Sequence, residues 1–226
     1  MKNFDDRLKA AADFARHGKR FADIGTDHAY LPIWLCENGI SPGGVASDVN
    51  DGPVERAVKN INSVGLNDRI AVIKTDGLDG IDEYTPEDVF ILGMGGDLIS
   101  DILRRSDFIR NPDIRLILQP MTHADVLRQM LDEHGFYISD ETVIRDGPRF
   151  YQIICAGYDG NCRQSAPEEL IAGKINILRS TDTFREFASY ISSVYEKKVS
   201  GMSVAGLDCS REKELAEKFH TLSVGK

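Results

Sequence analysis

Asp23-Ile24-Gly25-Thr26-Asp27-His28-Ala29-Tyr30-Leu31-Pro32 stands between two different textures. Residues 20–25 form a short apolar run that reads as a strand. Residues 30–38 carry helical spacing. The stretch is therefore a strand-to-helix joint, and it makes the chain an α/β protein if the alternation repeats. Ligands of open α/β sheets bind at the carboxyl ends of the strands. A glycine at such an end lets the backbone approach a ligand closely. Gly25 lacks the G-x-G-x-x-G spacing, which counts against a dinucleotide pyrophosphate.

The alternation does repeat. Strands are expected at 44–48, 70–75, 88–93 and 114–119, and helices at 53–64, 97–105 and 124–134. Runs at 137–145 and 150–156 flank Asp146-Gly147-Pro148, a turn signal that makes them a hairpin. Upstream, residues 3–17 read as an amphipathic helix with Phe4, Leu8, Ala11, Ala12 and Ala15 on one side, ended by Gly18. Strands alternating with helices imply right-handed crossovers and a mostly parallel sheet, and the hairpin adds an antiparallel edge. Five such units with a closing hairpin is the layout of Rossmann-like methyltransferases. The texture then changes. Residues 159–167 read as a polar linker, 168–198 as helical, 200–208 as a loop and 210–222 as helical with Ser210 as N-cap. Two units are expected: a sheet domain over 1–158 and a small, coiled-coil-like helical hairpin over 159–226.

With 226 residues, 42% of them hydrophobic and 28% charged, the chain can build a packed core. No apolar run of about 18 residues occurs, so neither a signal peptide nor a spanning helix is expected. Cys36, Cys155, Cys162 and Cys209 form no Cys-x-x-Cys pair and read as reduced thiols of a cytoplasmic protein without a metal centre. The net charge of −9 speaks against nucleic acid, but it is uneven. Residues 161–226 carry 10 Lys and Arg against 9 Asp and Glu, leaving 17 against 27 for the rest. Lys174, Arg179, Arg185, Lys197 and Lys198 form either a basic stripe for RNA or an ordinary solvated face. Arg7, Arg16, Lys19 and Arg20 are the other basic candidates.

Each strand end carries a polar or glycine feature. Asp23, Gly25, Thr26, Asp27 and His28 lie at the end of the first strand. Asp48, 23 residues beyond Gly25 and beside Val49, is placed to accept ribose hydroxyls. Asp76-Gly77 follows the third strand, where an adenine amino group would lie. Gly93-Met94-Gly95-Gly96 makes a tight turn after the fourth. Any one alone is an ordinary turn; together they favour a nucleoside cofactor.

These segments, with Asp51-Gly52-Pro53 and Leu116-Ile117-Leu118-Gln119-Pro120, resemble the bacterial tRNA (adenine-22)-N1-methyltransferase family. The resemblance covers about residues 5–156 and includes Arg7-Leu8. It implies S-adenosylmethionine as cofactor, a helical C-terminal domain, and methylation of adenine N1 at tRNA position 22. Met121 stands where many members carry Asn, and residues 172–183 follow the family pattern poorly. Asp27, His28 and Tyr30 are the catalytic candidates. Asp27 is suited to balance charge on the base. His28 either touches a ligand or caps the helix, and Tyr30 either stacks on adenine or packs. His17, His123 and His134 read as solvated. The rival readings are a methyltransferase for another RNA, a protein or a small molecule, and a non-catalytic nucleoside-binding module. A monomer is expected.

Overall fold

The computed structural model describes residues 4–225; residues 1–3 and 226, including the first residue of the expected 3–17 helix, lie outside them. The central strand is β1 (Phe21–Ile24), buried along its whole length. Around it lie β2 (Gly44–Asp48), β3 (Ile70–Lys74), β4 (Asp88–Met94), β5 (Arg115–Pro120), β6 (Phe136–Asp146) and β7 (Arg149–Tyr158). They form one seven-stranded sheet in the order β3-β2-β1-β4-β5-β7-β6. β1 to β5 pair in parallel, and the hairpin of β6 and β7 joins β5 antiparallel. This is the expected Rossmann-like sheet. The strand order reverses between β1 and β4, so a crevice opens at their carboxyl ends.

The helices α1 (Asp6–Ala12), α2 (Tyr30–Glu37), α3 (Asp51–Ser63), α4 (Gly96–Arg104) and α5 (Ala124–Glu133) cover the sheet. Two apolar layers result. Ile24, Val89, Ile91, Ile99, Leu116 and Leu127 belong to one, and Phe21, Leu31, Leu35, Ala46, Phe90 and Ile117 to the other. The strands lie buried between them, which is why they read as continuous apolar runs rather than alternating ones.

Three differences from the sequence expectation have physical causes. The first helix begins at Asp6, where the Asp5 side chain accepts from the Leu8 N–H at 2.8 Å, and stops at Ala12 rather than 17. Beyond it, Arg16 clamps buried Asp88 through its backbone N–H and Nε, each at 2.7 Å. The second difference lies in 168–198. Three helices occupy it: α6 (Pro167–Ala172), α7 (Lys174–Arg179) and α8 (Asp182–Val204). Gly173 (φ +88°) and Ser180 (φ +45°) break the run. Glu141 on β6 sits against Gly173, where a Cβ would lie 2.2 Å from its carboxylate, and accepts the Ile175 N–H at 2.9 Å. Third, α8 runs five residues into the expected loop before α9 (Ser210–Ser223) returns along it.

The helical hairpin of α8 and α9 has its own core of Phe184, Phe187, Ile191, Leu215 and Phe219, and this core includes Val143 of β6 with Phe150 of β7 packed against it. No described helix is long and apolar enough to cross a membrane.

Candidate functional site

A cavity of about 350 Å³ opens at the ends of β1 and β4, under α1 and the first turn of α2. It brings together Asp23, Gly25, Thr26, Asp27, His28, Tyr30 and Gly93. Asp48, Val49, Asp76, Gly77, Met94 and Gly95 do not line it. Asp48 lies at the end of the neighbouring strand β2, where its Oδ1 accepts from the Asn50 backbone at 2.8 Å.

Gly25 (φ +77°) turns the chain at the cavity floor, and the N–H groups of Gly25 and Thr26 both donate to the Ser47 carbonyl at 2.8 Å. The positive φ of Gly25 is what favours glycine here, and the flexible Met94 side chain fills the space a Cβ would enter, its methyl 2.1 Å from that position. Thr26 is buried, and its Oγ1 accepts the Ala29 N–H at 3.2 Å, holding the turn into α2. Asp23 is only 7% exposed. Burial pushes its carboxyl up to about 6, against the pull of the Thr26 hydroxyl and the Arg7 charge.

The rim is more polar. Asp27 is 61% exposed at its side chain and pairs with Arg56 of α3, whose Nε donates at 3.0 Å. His28 Nε2 lies 3.3 Å from the other Asp27 oxygen. The His28 and Tyr30 rings stack, 5.0 Å apart and 10° from parallel. Asn60 holds the His28 carbonyl at 3.0 Å.

Two residues that the spacing argument did not single out complete the site. Arg7 of α1 lines the cavity and donates from Nη1 to Gln119 Oε1 at 3.0 Å. The same buried oxygen accepts the Gly93 N–H at 3.1 Å. Both belong to segments of the family resemblance. Their partnership spans 112 residues, and no local pattern signals it. Arg56 likewise reaches Asp27 from another element.

Residues 4–154 match the family described as a methyltransferase domain. Over 161 residues the chain is 35% identical to the tRNA (adenine(22)-N(1))-methyltransferase of Bacillus subtilis strain 168, with 68% of each chain covered. The chain belongs to this methyltransferase family. Among solved structures, the methyltransferase superimposes on Streptococcus pneumoniae Sp1610 in complex with S-adenosyl-L-methionine with a TM-score of 0.84. Identity there is 29%, over 95% of this chain and 98% of the other. The crystal structure of the Bacillus subtilis M1A22 tRNA methyltransferase TrmK gives 0.81, at 27% identity over 97% and 96%.

The remaining expectations are placed as follows. Asp76 forms an exposed two-pronged pair with Arg105 at 2.9 and 3.2 Å, which holds its carboxyl below the usual range. Four cations of the stripe are paired, Lys174 with Glu169, Arg179 with Asp140, Arg185 with Asp182 and Lys198 with Glu212, while Lys197 is exposed. At the other basic stretch, Arg16 is bound to Asp88 and Lys19 to Glu87, while Arg20 donates to the Tyr84 carbonyl. His17 is exposed. His123 is exposed but paired with Asp97, which raises its pKa, and half-buried His134 donates to the Met130 carbonyl at 2.9 Å. All four thiols are free. Among the described residues no group of three or more His, Cys, Asp or Glu side chains gathers to hold a metal.

Proposed function

We propose that this methyltransferase transfers a methyl group from S-adenosylmethionine to N1 of the adenine at position 22 of tRNA. The observation that carries this reading is the cavity between the β1 and β4 turns with an aromatic and carboxylate rim, in a chain 35% identical to an enzyme of that name. Gly25, Thr26, Asp27 and His28 wrap one side of the cofactor and Gly93, Met94 and Gly95 the other. Asp23 lies beneath it. Asp48 and Val49 meet the ribose, and Asp76 and Gly77 meet the adenine. The chain works as a single copy in the cytoplasm, where tRNA is found. Residues 1–158 form the catalytic unit, and 159–226 serve as the helical unit that helps dock the RNA.

When bound, the cofactor supplies an electrophilic methyl group on a sulfonium. Adenine N1 has an in-plane lone pair at neutral pH, so the protein needs no base to start the reaction. Its tasks are positioning and electrostatics. N1 lies on the pairing edge of the base, so the adenine must leave its stack to enter. The parallel rings of His28 and Tyr30 give a flipped base a stacking ledge. Attack makes the adenine ring cationic, and Asp27 at the rim balances that charge.

Unmodified tRNA and a tRNA with guanine at position 22 should be incubated with radiolabelled S-adenosylmethionine. Label is expected in the first only, and equal labelling of both sinks the assignment. Asp27→Asn should slow single-turnover methyl transfer by about 10²-fold. That is the lower end of the range for one lost electrostatic contact, because Asp27 is exposed and shares its charge with Arg56. A rate within about threefold of wild type removes Asp27 from the chemistry.

A further inference from the structure

The carboxylate at the rim already has a cation. Arg56 of α3 donates to Asp27 Oδ1 from Nε at 3.0 Å and from Nη2 as well. Both bonds fall on one oxygen, and the other oxygen faces His28 Nε2 at 3.3 Å. A guanidinium has five N–H donors. The rest of those on Arg56, both at Nη1 among them, have no partner among the described residues. The side chain is 47% exposed and does not line the cavity. Its helix is nonetheless tied to the rim, because Asn60, one turn on, holds the His28 carbonyl at 3.0 Å. Lys59, three residues from Arg56 on α3, is exposed and makes no ion pair among the described residues.

This pairing sets a problem for the reaction. Methylation makes the adenine cationic, and a carboxylate neutralised by Arg56 balances little of that charge, while an unmatched guanidinium beside it opposes the charge. Arg56 therefore needs an anion of its own in the complex. RNA supplies one, since each nucleotide carries a phosphodiester on either side of its sugar, and the guanidinium fork fits phosphate as well as carboxylate. We propose that Arg56 takes a phosphodiester flanking the flipped adenosine and thereby hands Asp27 over to the base. This rests on the reading of the chain as a tRNA adenine methyltransferase, and it adds the residue that couples RNA contact to the rim. The four charges then form two pairs, Arg56 with phosphate and Asp27 with the methylated ring. Lys59 adds a second positive charge along the same helix face.

A cycle between side chain and phosphate tests this. Unmodified tRNA is prepared with either linkage flanking adenine 22 replaced by a neutral methylphosphonate. Single-turnover methylation from radiolabelled S-adenosylmethionine is followed at subsaturating enzyme with full-length wild type, Arg56→Met and Arg56→Lys. Arg56→Met should slow the natural tRNA about tenfold. One of the two methylphosphonates should slow wild type by a similar factor and Arg56→Met by less than about twofold, because the partner is already gone. Arg56→Lys should recover part of the rate and keep its sensitivity to that linkage. The salt slope of tRNA binding should fall by about one in Arg56→Met. S-Adenosylhomocysteine, the cofactor product, should bind Arg56→Met within about threefold of wild type by calorimetry. Additive losses, or no methylphosphonate effect in wild type, would overturn the proposal. A faster Arg56→Met would do so too, since Arg56 would then only compete with the base for Asp27. A matching loss of S-adenosylhomocysteine affinity would make Arg56 a brace for the β1 turn and overturn it as well. A wild type that leaves unmodified tRNA unlabelled would overturn the functional reading itself.

Discussion

Glu141 under α6 and α7 and Asp23 at the cavity floor are both buried carboxylates, and their surroundings are built on opposite plans. Under α6 and α7, Arg128 and Glu141 are 2% and 0% exposed and fully engaged. Arg128 donates to Glu141 at 2.7 and 3.2 Å, to the Leu170 carbonyl at 3.0 Å and to Gln152 at 2.8 Å. Glu141 also accepts the Ile175 N–H. In the cavity, Asp23 and Arg7 belong to no such closed network. A buried carboxylate whose lone pairs are all used is a joint; one left open at a cavity wall is a receptor. The contrast separates the network that ties α6 and α7 to the sheet from the open wall of the cavity in which we propose that the cofactor binds.

The joint should be the more fragile under mutation. Arg128→Met leaves Glu141 charged and unpaired among apolar neighbours and frees the Leu170 carbonyl. A loss of about 3–5 kcal/mol in denaturant unfolding is expected. Arg7→Met, at the cavity wall, should cost far less stability. If the two variants unfold alike, the distinction between joint and receptor fails.

Asp23 sharpens the comparison from the other side. Its folded pKa of about 6 lies above the ordinary aspartate value of 3.8. The folded state therefore binds more protons than the unfolded state between those values, and stability falls as pH rises through that window. Above it the buried charge is a burden on the order of 2–3 kcal/mol. Asp23→Asn should be more stable than wild type at pH 7.5 by about that amount, and nearly equal to it at pH 4. The same window governs ligand. If ionised Asp23 faces the ligand's ammonium, S-adenosylhomocysteine affinity should drop about tenfold from pH 7 to pH 5, and the drop should vanish in Asp23→Asn. A pH-independent wild type would remove Asp23 from the ammonium.

Much of this was legible before the fold was seen. The five parallel strands announce themselves because each is a short apolar run between turn residues, and the hairpin does so through Asp146-Gly147-Pro148. Helix ends were less legible where distant side chains set them: Asp88 ends the run after α1 by binding Arg16, and Glu141 breaks the 168–198 pattern at Gly173. The positive-φ glycines Gly25 and Gly93 sit where the strand ends were read, although Gly93 lies in an irregularity within β4 rather than in a turn after it. The arginines were not legible in that way. Arg7, Arg56 and Arg105 reach Gln119, Asp27 and Asp76 across elements, and long flexible side chains leave no periodic trace. The helical unit shows the same limit. The methyltransferase family match ends at residue 154, while the structural likeness extends over 95% of the chain.

Asp48 carries the next effect in size. If its carboxylate takes the ribose hydroxyls through charge-assisted bonds worth about 1.5–3 kcal/mol, Asp48→Ala should weaken S-adenosylhomocysteine by about 10- to 100-fold. It should weaken 5′-methylthioadenosine, which lacks the amino-acid end, equally, since both ligands carry the ribose. A loss confined to S-adenosylhomocysteine would place Asp48 at the amino-acid end instead.

The smallest effect belongs to Asp76, whose exposed partner Arg105 competes with any adenine amino group. Exposed pairs contribute little because water and salt screen them and holding two long side chains costs entropy. Releasing Asp76 should therefore help ligand only slightly. Arg105→Gln is expected to raise S-adenosylhomocysteine affinity by about twofold to fivefold at low salt, with the gain shrinking as salt weakens the competing pair in wild type. Stability should hardly move. The direction matters more than the size. A gain means that Asp76 must leave Arg105 to meet the adenine. A loss means that Arg105 orients Asp76 in the complex, which would make this solvent-exposed pair part of the ligand site.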